Sequence, residues 1–181
     1  MIFYNFWHTV SRMIGIQHFT LPIHVRLTAA TLSKAGHLTF VECMVLWNIY
    51  ISRIPPDSLA SLATRVNWRV YINDVIGDLT PIVGNIKCEV LSISNVYLSS
   101  EVIQCLVTAM RNNVEEVELG WDGDVNINME LITQGYAGWC RVVRCHYDTG
   151  RRYGLHLETW ADRMGWEVDK WGSGNIWIYR E

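Results

Sequence analysis

A short apolar motif returns along this chain from Val41 onward: one apolar position, a second three residues on, and a third two beyond that. VECMVL carries Val41, Met44 and Leu46 on it, CEVLSI carries Cys88, Leu91 and Ile93, VEEVEL carries Val114, Val117 and Leu119, and CRVVRC carries Cys140, Val143 and Cys145. NWRVYI and SGNIWI keep the second and third positions, as Val70 with Ile72 and Ile176 with Ile178. The motif starts at 41, 67, 88, 114, 140 and 173, at steps of 26, 21, 26, 26 and 33 residues. Each hexad is short, rich in valine and isoleucine, and alternating, the pattern of a strand with one buried face. Each is therefore predicted to be a strand.

Between the strands the spacing becomes helical. DSLASLATRV follows Pro55 and Pro56 and lines up Leu59, Leu62, Ala63 and Val66. Asp78 heads a short turn with Leu79, Ile82 and Val83, where Pro81 falls in the first turn and is tolerated. Ser99 or Ser100 is placed to cap EVIQCLVTAMRNN, whose Ile103, Leu106, Val107 and Met110 form one stripe. Asn128 precedes MELITQ, which Gly135 and Gly138 punctuate, and Thr149 opens the longest helix, with Tyr153, Leu157, Trp160 and Met164 on one face and a stop at Gly165. Strand and helix alternating at a steady period predict an α/β fold with parallel strands joined by right-handed crossovers.

The spacing in VEEVELGWD resembles the LxxLxLxx(N/C) core of leucine-rich repeats, with Val114, Val117 and Leu119 on the leucine positions and Asp122 on the asparagine or cysteine position. CRVVRCHYD repeats it with Cys140, Val143, Cys145 and Asp148. Helical connections and the 26-residue step are similar to the ribonuclease-inhibitor-like subclass, also found in the sensor tails of NACHT-type immune receptors. The resemblance spans residues 41–181 and implies a short, irregular solenoid: a curved parallel sheet of about six strands with helices on its convex side. Residues 1–40 show no repeat and are expected to form an N-terminal extension and a helical cap, the helix running from Thr20 to Ala35. One position departs from the family: where it bonds loop backbone between coils with asparagine or cysteine, this chain has Ile49, Val75, Val96, Asp122, Asp148 and Glu181.

Carrying the repeat register across the strands lays out the sheet face turned away from the helices. One row is Cys43, Arg69, Val90, Glu116, Val142 and Asn175; the next is Val45, Tyr71, Ser92, Glu118, Arg144 and Trp177; the third is Trp47, Asn73, Ser94, Gly120, His146 and Tyr179. Tyrosine, tryptophan and arginine dominate interface energetics, so a face mixing them with small polar groups suits partner binding. The candidate partner-binding residues are Trp47, Arg69, Tyr71, Glu116, Glu118, Arg144, His146, Trp177 and Tyr179, with Tyr71, Trp177 and Tyr179 as anchors. Glu118 and Arg144 share a row on neighbouring strands and are expected to form a surface ion pair.

Composition narrows the function. Charged residues make up 18% of the 181, the net charge is -3 and the basic residues are scattered, so no nucleic-acid partner is expected. No apolar run suits a membrane span, and the start Met1 to Trp7 lacks a basic leader, so a soluble cytoplasmic protein is expected. The five cysteines fall in apolar segments and no Asn-x-Ser/Thr occurs, which fits reduced, buried thiols. The six histidines show no paired spacing, Cys140, Cys145 and His146 do not have a zinc spacing, and no phosphate-binding glycine loop appears, so neither metal nor cofactor is expected. A non-enzymatic protein-interaction module, alone or within a larger sensor or adaptor, is the expected function. The alternatives are a truncated fragment without independent activity, and a small α/β enzyme using Asp122, His146 and Asp148 at the strand carboxyl ends.

Overall fold

The computed structural model describes residues 16–20, 41–52, 54–120, 125–126, 140–172 and 174–180. Its strands in chain order are β1 (Ile16–Thr20), β2 (Val41–Tyr50), β3 (Val66–Ile76), β4 (Val90–Ser94), β5 (Val96–Tyr97), β6 (Glu116–Leu119), β7 (Val125–Asn126), β8 (Val142–Cys145), β9 (Glu167–Trp171) and β10 (Asn175–Tyr179). Eight of them make one open, mostly parallel sheet in the order β1-β2-β3-β4-β6-β8-β10-β9, while β5 and β7 pair separately. Helices α1 (Pro56–Ala63), α2 (Thr80–Val83), α3 (Ser100–Asn112) and α4 (Tyr147–Met164) lie in the connections.

The helix boundaries follow local chemistry. Pro56 sits in the first turn of α1, where its missing N–H costs nothing. The Ser99 side chain accepts a hydrogen bond from the Val102 N–H and caps α3. Gly165 ends α4 at φ +70°, a left-handed conformation that glycine adopts without a Cβ penalty. Each helix turns its apolar residues onto one core: Leu59, Leu62 and Ala63 from α1, Ile82 and Val83 from α2, Val102, Ile103, Leu106, Ala109 and Met110 from α3, and Leu157 and Ala161 from α4. Against them lie Met44, Leu46, Val70, Ile72, Leu91, Ile93, Val117, Leu119, Val143 and Cys145, the second and third motif positions of their strands. Met164, expected on the buried stripe of α4, is instead exposed at the helix's last turn.

Three features of the sheet differ from the sequence expectation. Residues 16–20, expected to lie in an extension without repeats, form β1 and pair in parallel with β2, Ile16 opposite Val41 and Thr20 opposite Val45. The remainder of the expected Thr20 to Ala35 helix lies outside the described residues, as does the MELITQ helix.

The last expected strand, β10, runs antiparallel to β8 rather than parallel. A parallel neighbour needs a crossover of about a dozen residues or more, whereas only residues 172–174 separate β9 from β10. Strand β9 runs in the direction the repeat requires but one place further out, and the hairpin turns β10 back into the gap. Its Ile176 and Ile178 are buried while β9 is mostly exposed, so the more apolar strand takes the inner place.

The third difference concerns the end of each long strand. Asn48, Asp74 and Asn95 have φ of 53°, 52° and 55°, and they occupy one register position on β2, β3 and just after β4. A left-handed residue resets the alternation, so the chain turns inward again directly after it. Val75 and Val96 are accordingly buried in the core. Asparagine and aspartate are the non-glycine residues that best tolerate this conformation. The polar residue of each turn therefore precedes by one the position where an asparagine or cysteine was sought.

Candidate functional site

The face opposite the helices is laid out by strand register. Cys43, Arg69, Val90, Glu116 and Val142 are level with one another, and so are Val45, Tyr71, Ser92, Glu118, Arg144 and Trp177. Reversal of β10 exchanges its two ends: Tyr179 stands beside Val142, and Asn175 is the residue that reaches His146 with a hydrogen bond. Tyr179 is thus separated from His146, with which the expected register aligned it, and its hydroxyl turns to the carboxylates of Asp169 and Glu167. Those carboxylates, the Glu167 bond foremost, push its pKa up to about 12.

Four charges occupy the centre. Glu118 is 4% exposed and accepts hydrogen bonds from the Arg69 guanidinium, from Ser92 Oγ at 2.9 Å and from Arg144 Nη1 at 3.5 Å. The same Arg144 nitrogen lies 2.9 Å from Glu116 Oε1. Arg69 stands on β3 and Glu118 on β6, with β4 between them, so the contact spans two strand spacings. It is possible because the intervening residue is Ser92, small and itself bonded to the carboxylate. The expected Glu118–Arg144 pair is present, as part of a larger network in which Glu118 is buried and the two arginines are partly exposed. Burial pushes the Glu116 carboxyl above its ordinary range, against the pull of Arg144.

Aromatic groups extend from this centre. The Arg144 guanidinium lies 4.7 Å above the Trp177 ring, and Trp171 stacks on Trp177 at 5.5 Å, in line with the attraction of cations for indole faces. Tyr71 lies half-buried beside Ser92, and its hydroxyl accepts from Asn73 Nδ2 at 3.3 Å. Trp47 is exposed on β2, away from the four-charge centre. Sequence spacing put Trp177 and Arg144 in one row but did not reveal Trp171, which reaches the face only through the hairpin.

His146 is buried, and burial pushes its pKa below the ordinary 6.5, opposed by Glu118 and by the bond to Asn175. As pH falls through 6.5 the unfolded chain takes up this proton first, so stability drops until the lower folded value is passed. Glu116, with its raised value, acts in the opposite sense at lower pH. Wild-type protein is therefore expected to lose more stability than His146→Gln between about pH 7 and pH 5.5 in urea titrations. Parallel pH curves for the two proteins would refute the assignment.

The remaining candidate chemistry stays apart. Cys88 and Cys140 donate to the carbonyls of Val90 and Val142, and burial pushes the thiols of Cys88, Cys140 and Cys145 up to about 12. None of the five cysteines forms a disulfide. Among the described residues, no group of three or more His, Cys, Asp or Glu side chains gathers closely enough to hold a metal. Asp122 and the side chain of Asp148 lie outside the described residues. No protein-family model matches this chain, and no curated protein sequence matches it.

Proposed function

We propose that the protein is a non-enzymatic recognition module of leucine-rich-repeat-like, solenoidal character, and that it binds a protein partner through the sheet face opposite its helices. The observation that carries this reading is the arrangement of that face. Two carboxylates and two guanidinium groups neutralise one another at its centre, and Tyr71, Trp177 and Trp171 surround them with large rings. Arg144, held by the two carboxylates, packs on Trp177, on which Trp171 stacks, so these rings are ordered before binding and lose less entropy on association. The helical side, by contrast, commits its apolar residues to the core. Parallel strands recurring with helices between them support the solenoid reading. Five cysteines outside any disulfide fit a reducing, cytoplasmic setting, and none of the described helices is long and apolar enough to cross a membrane.

Affinity capture and mass spectrometry identify the partner, and binding is then measured with purified variants. Tyr71→Ala and Trp177→Ala, checked for folding, are each expected to weaken it by about 2 kcal/mol, roughly thirtyfold. Leu155→Ser, on the exposed side of α4, is expected to bind as wild type. The opposite outcome, loss with Leu155→Ser alone, overturns the choice of face.

A further inference from the structure

A second surface lies at the carboxyl edge of the sheet, away from the four-charge centre. Tyr50 and Ile76 are paired in register at the ends of β2 and β3, and counting on from the pair Asn73 and Ser94 brings Tyr97 level with them. All three side chains are turned to solvent, at 66%, 50% and 77% exposure. Three neighbouring apolar residues at such exposure are not the scattered singles that any soluble surface carries. One strand spacing, about 5 Å, separates Tyr50 from Ile76, and β5 lies close to β3 without pairing to it, which brings Tyr97 beside them.

Beside its Tyr97 end lies a cleft of about 400 Å³, lined among others by Gly77, Asp78, Thr80, Tyr97, Ser99 and Glu101. Its charged lining residues, Asp78 and Glu101, are both acidic. Asp78 accepts from the Thr80 N–H, and Glu101 bonds its own backbone N–H and the Ser99 hydroxyl, which hold its carboxyl below the usual range. Among the described residues neither carboxylate meets a basic side chain. Gly77 in this wall packs closely on β2's end: it has φ +137°, and a Cβ there would fall 2.6 Å from Ile51 Cγ1.

We propose that this edge docks a short linear peptide, an apolar side chain lying across Tyr50, Ile76 and Tyr97 and a lysine or arginine close by entering the cleft against Asp78 and Glu101. Charge complementarity selects the occupant. An acidic peptide is repelled, and a wholly apolar one takes the two carboxylates out of water with no opposite charge beside them. Residues two apart in an extended peptide are about 7 Å apart, so a single segment spans row and cleft. This docking is independent of the face assigned above.

The test uses the full chain and two fluorescein-labelled peptides, Leu-Ala-Phe-Ala-Lys and the same peptide ending in glutamate, both capped at their ends. Fluorescence anisotropy is expected to show saturable binding of the lysine peptide, at least tenfold weaker binding of the glutamate peptide, and weakening at high salt. The double variant Asp78→Asn with Glu101→Gln retains the acceptor for the Thr80 N–H, and is expected to lower affinity at least tenfold with an unchanged melting midpoint. Tyr97→Ala, an exposed position, is expected to do the same. Tyr71→Ala with Trp177→Ala is expected to leave peptide binding intact, which separates this site from the four-charge face. Equal binding of the two peptides, no saturation by the lysine peptide, or loss confined to the Tyr71 and Trp177 variants overturns the proposal. So does a dimer in sedimentation that Tyr97→Ala dissolves, since a second copy then occupies the row.

Discussion

Gly150→Ala is expected to destabilise the fold by about 3 kcal/mol or more, because a Cβ at this position has no room. It would fall 1.8 Å from the Gly174 carbonyl oxygen and 2.9 Å from that of Cys145. Both obstacles are backbone, so neither can rotate away as a flexible side chain would. The first turn of α4 and the β9–β10 hairpin must separate to accept the methyl group. Gly154→Ala, one turn further along, is the matched control. Its nearest neighbour is Ile176 Cδ1 at 3.7 Å, ordinary contact, and alanine in a helix is favoured over glycine by about 1 kcal/mol. Urea denaturation of the two variants is expected to shift in opposite directions. Equal midpoints would mean that the hairpin does not rest on α4.

The second large effect is expected at Leu119→Ala, about 2 to 5 kcal/mol, from the lost burial and the cavity left between the sheet and its helices. Leu119 is fully buried in the core, whereas its neighbour Glu118 lies on the other face. Glu118→Ala removes a buried acceptor but leaves Arg69 and Arg144 partly exposed and able to reach water, so its cost is expected to be about 1 to 3 kcal/mol. That is more than a solvated pair would give. An inverted order of the two, measured by chemical denaturation, would place the strand one residue out of register, which turns every side chain to the opposite face.

Much of the parallel sheet was legible because a period-two apolar pattern also sets register. Tyr71, Ser92, Glu118 and Arg144 fall in one row by counting alone, and the strands pair that way. The direction of β10 was not legible from its own residues. NIWIY alternates identically in either direction, and only the brevity of residues 172–174 signals the reversal. Strand β1 did leave a trace: Ile16, Phe19 and Leu21 keep the motif spacing 25 residues before Val41. It was obscured by the aromatic and polar residues around it. The turn positions Asn48, Asp74 and Asn95 were visible as residue types but were sought one place too late. At the site, the rows predicted which residues share the face. The diagonal Arg69–Glu118 contact depended on side-chain reach over Ser92, which spacing does not encode.

The placement of β10 between β8 and β9 also orders assembly in time. Each of the parallel pairings from β2 to β8 must close a loop of about twenty residues or more before any ladder bond forms, and closure grows costlier with length. Strands β9 and β10 meet across residues 172–174, and hairpins of that kind close in about 1 to 10 μs. The hairpin can therefore exist while the remainder of the sheet is still searching, its Ile176 and Ile178 already on one side. Strand β8 is therefore expected to gain β10 and β9 as a two-stranded unit, which hydrogen-exchange labelling during refolding would show as simultaneous protection of the two strands.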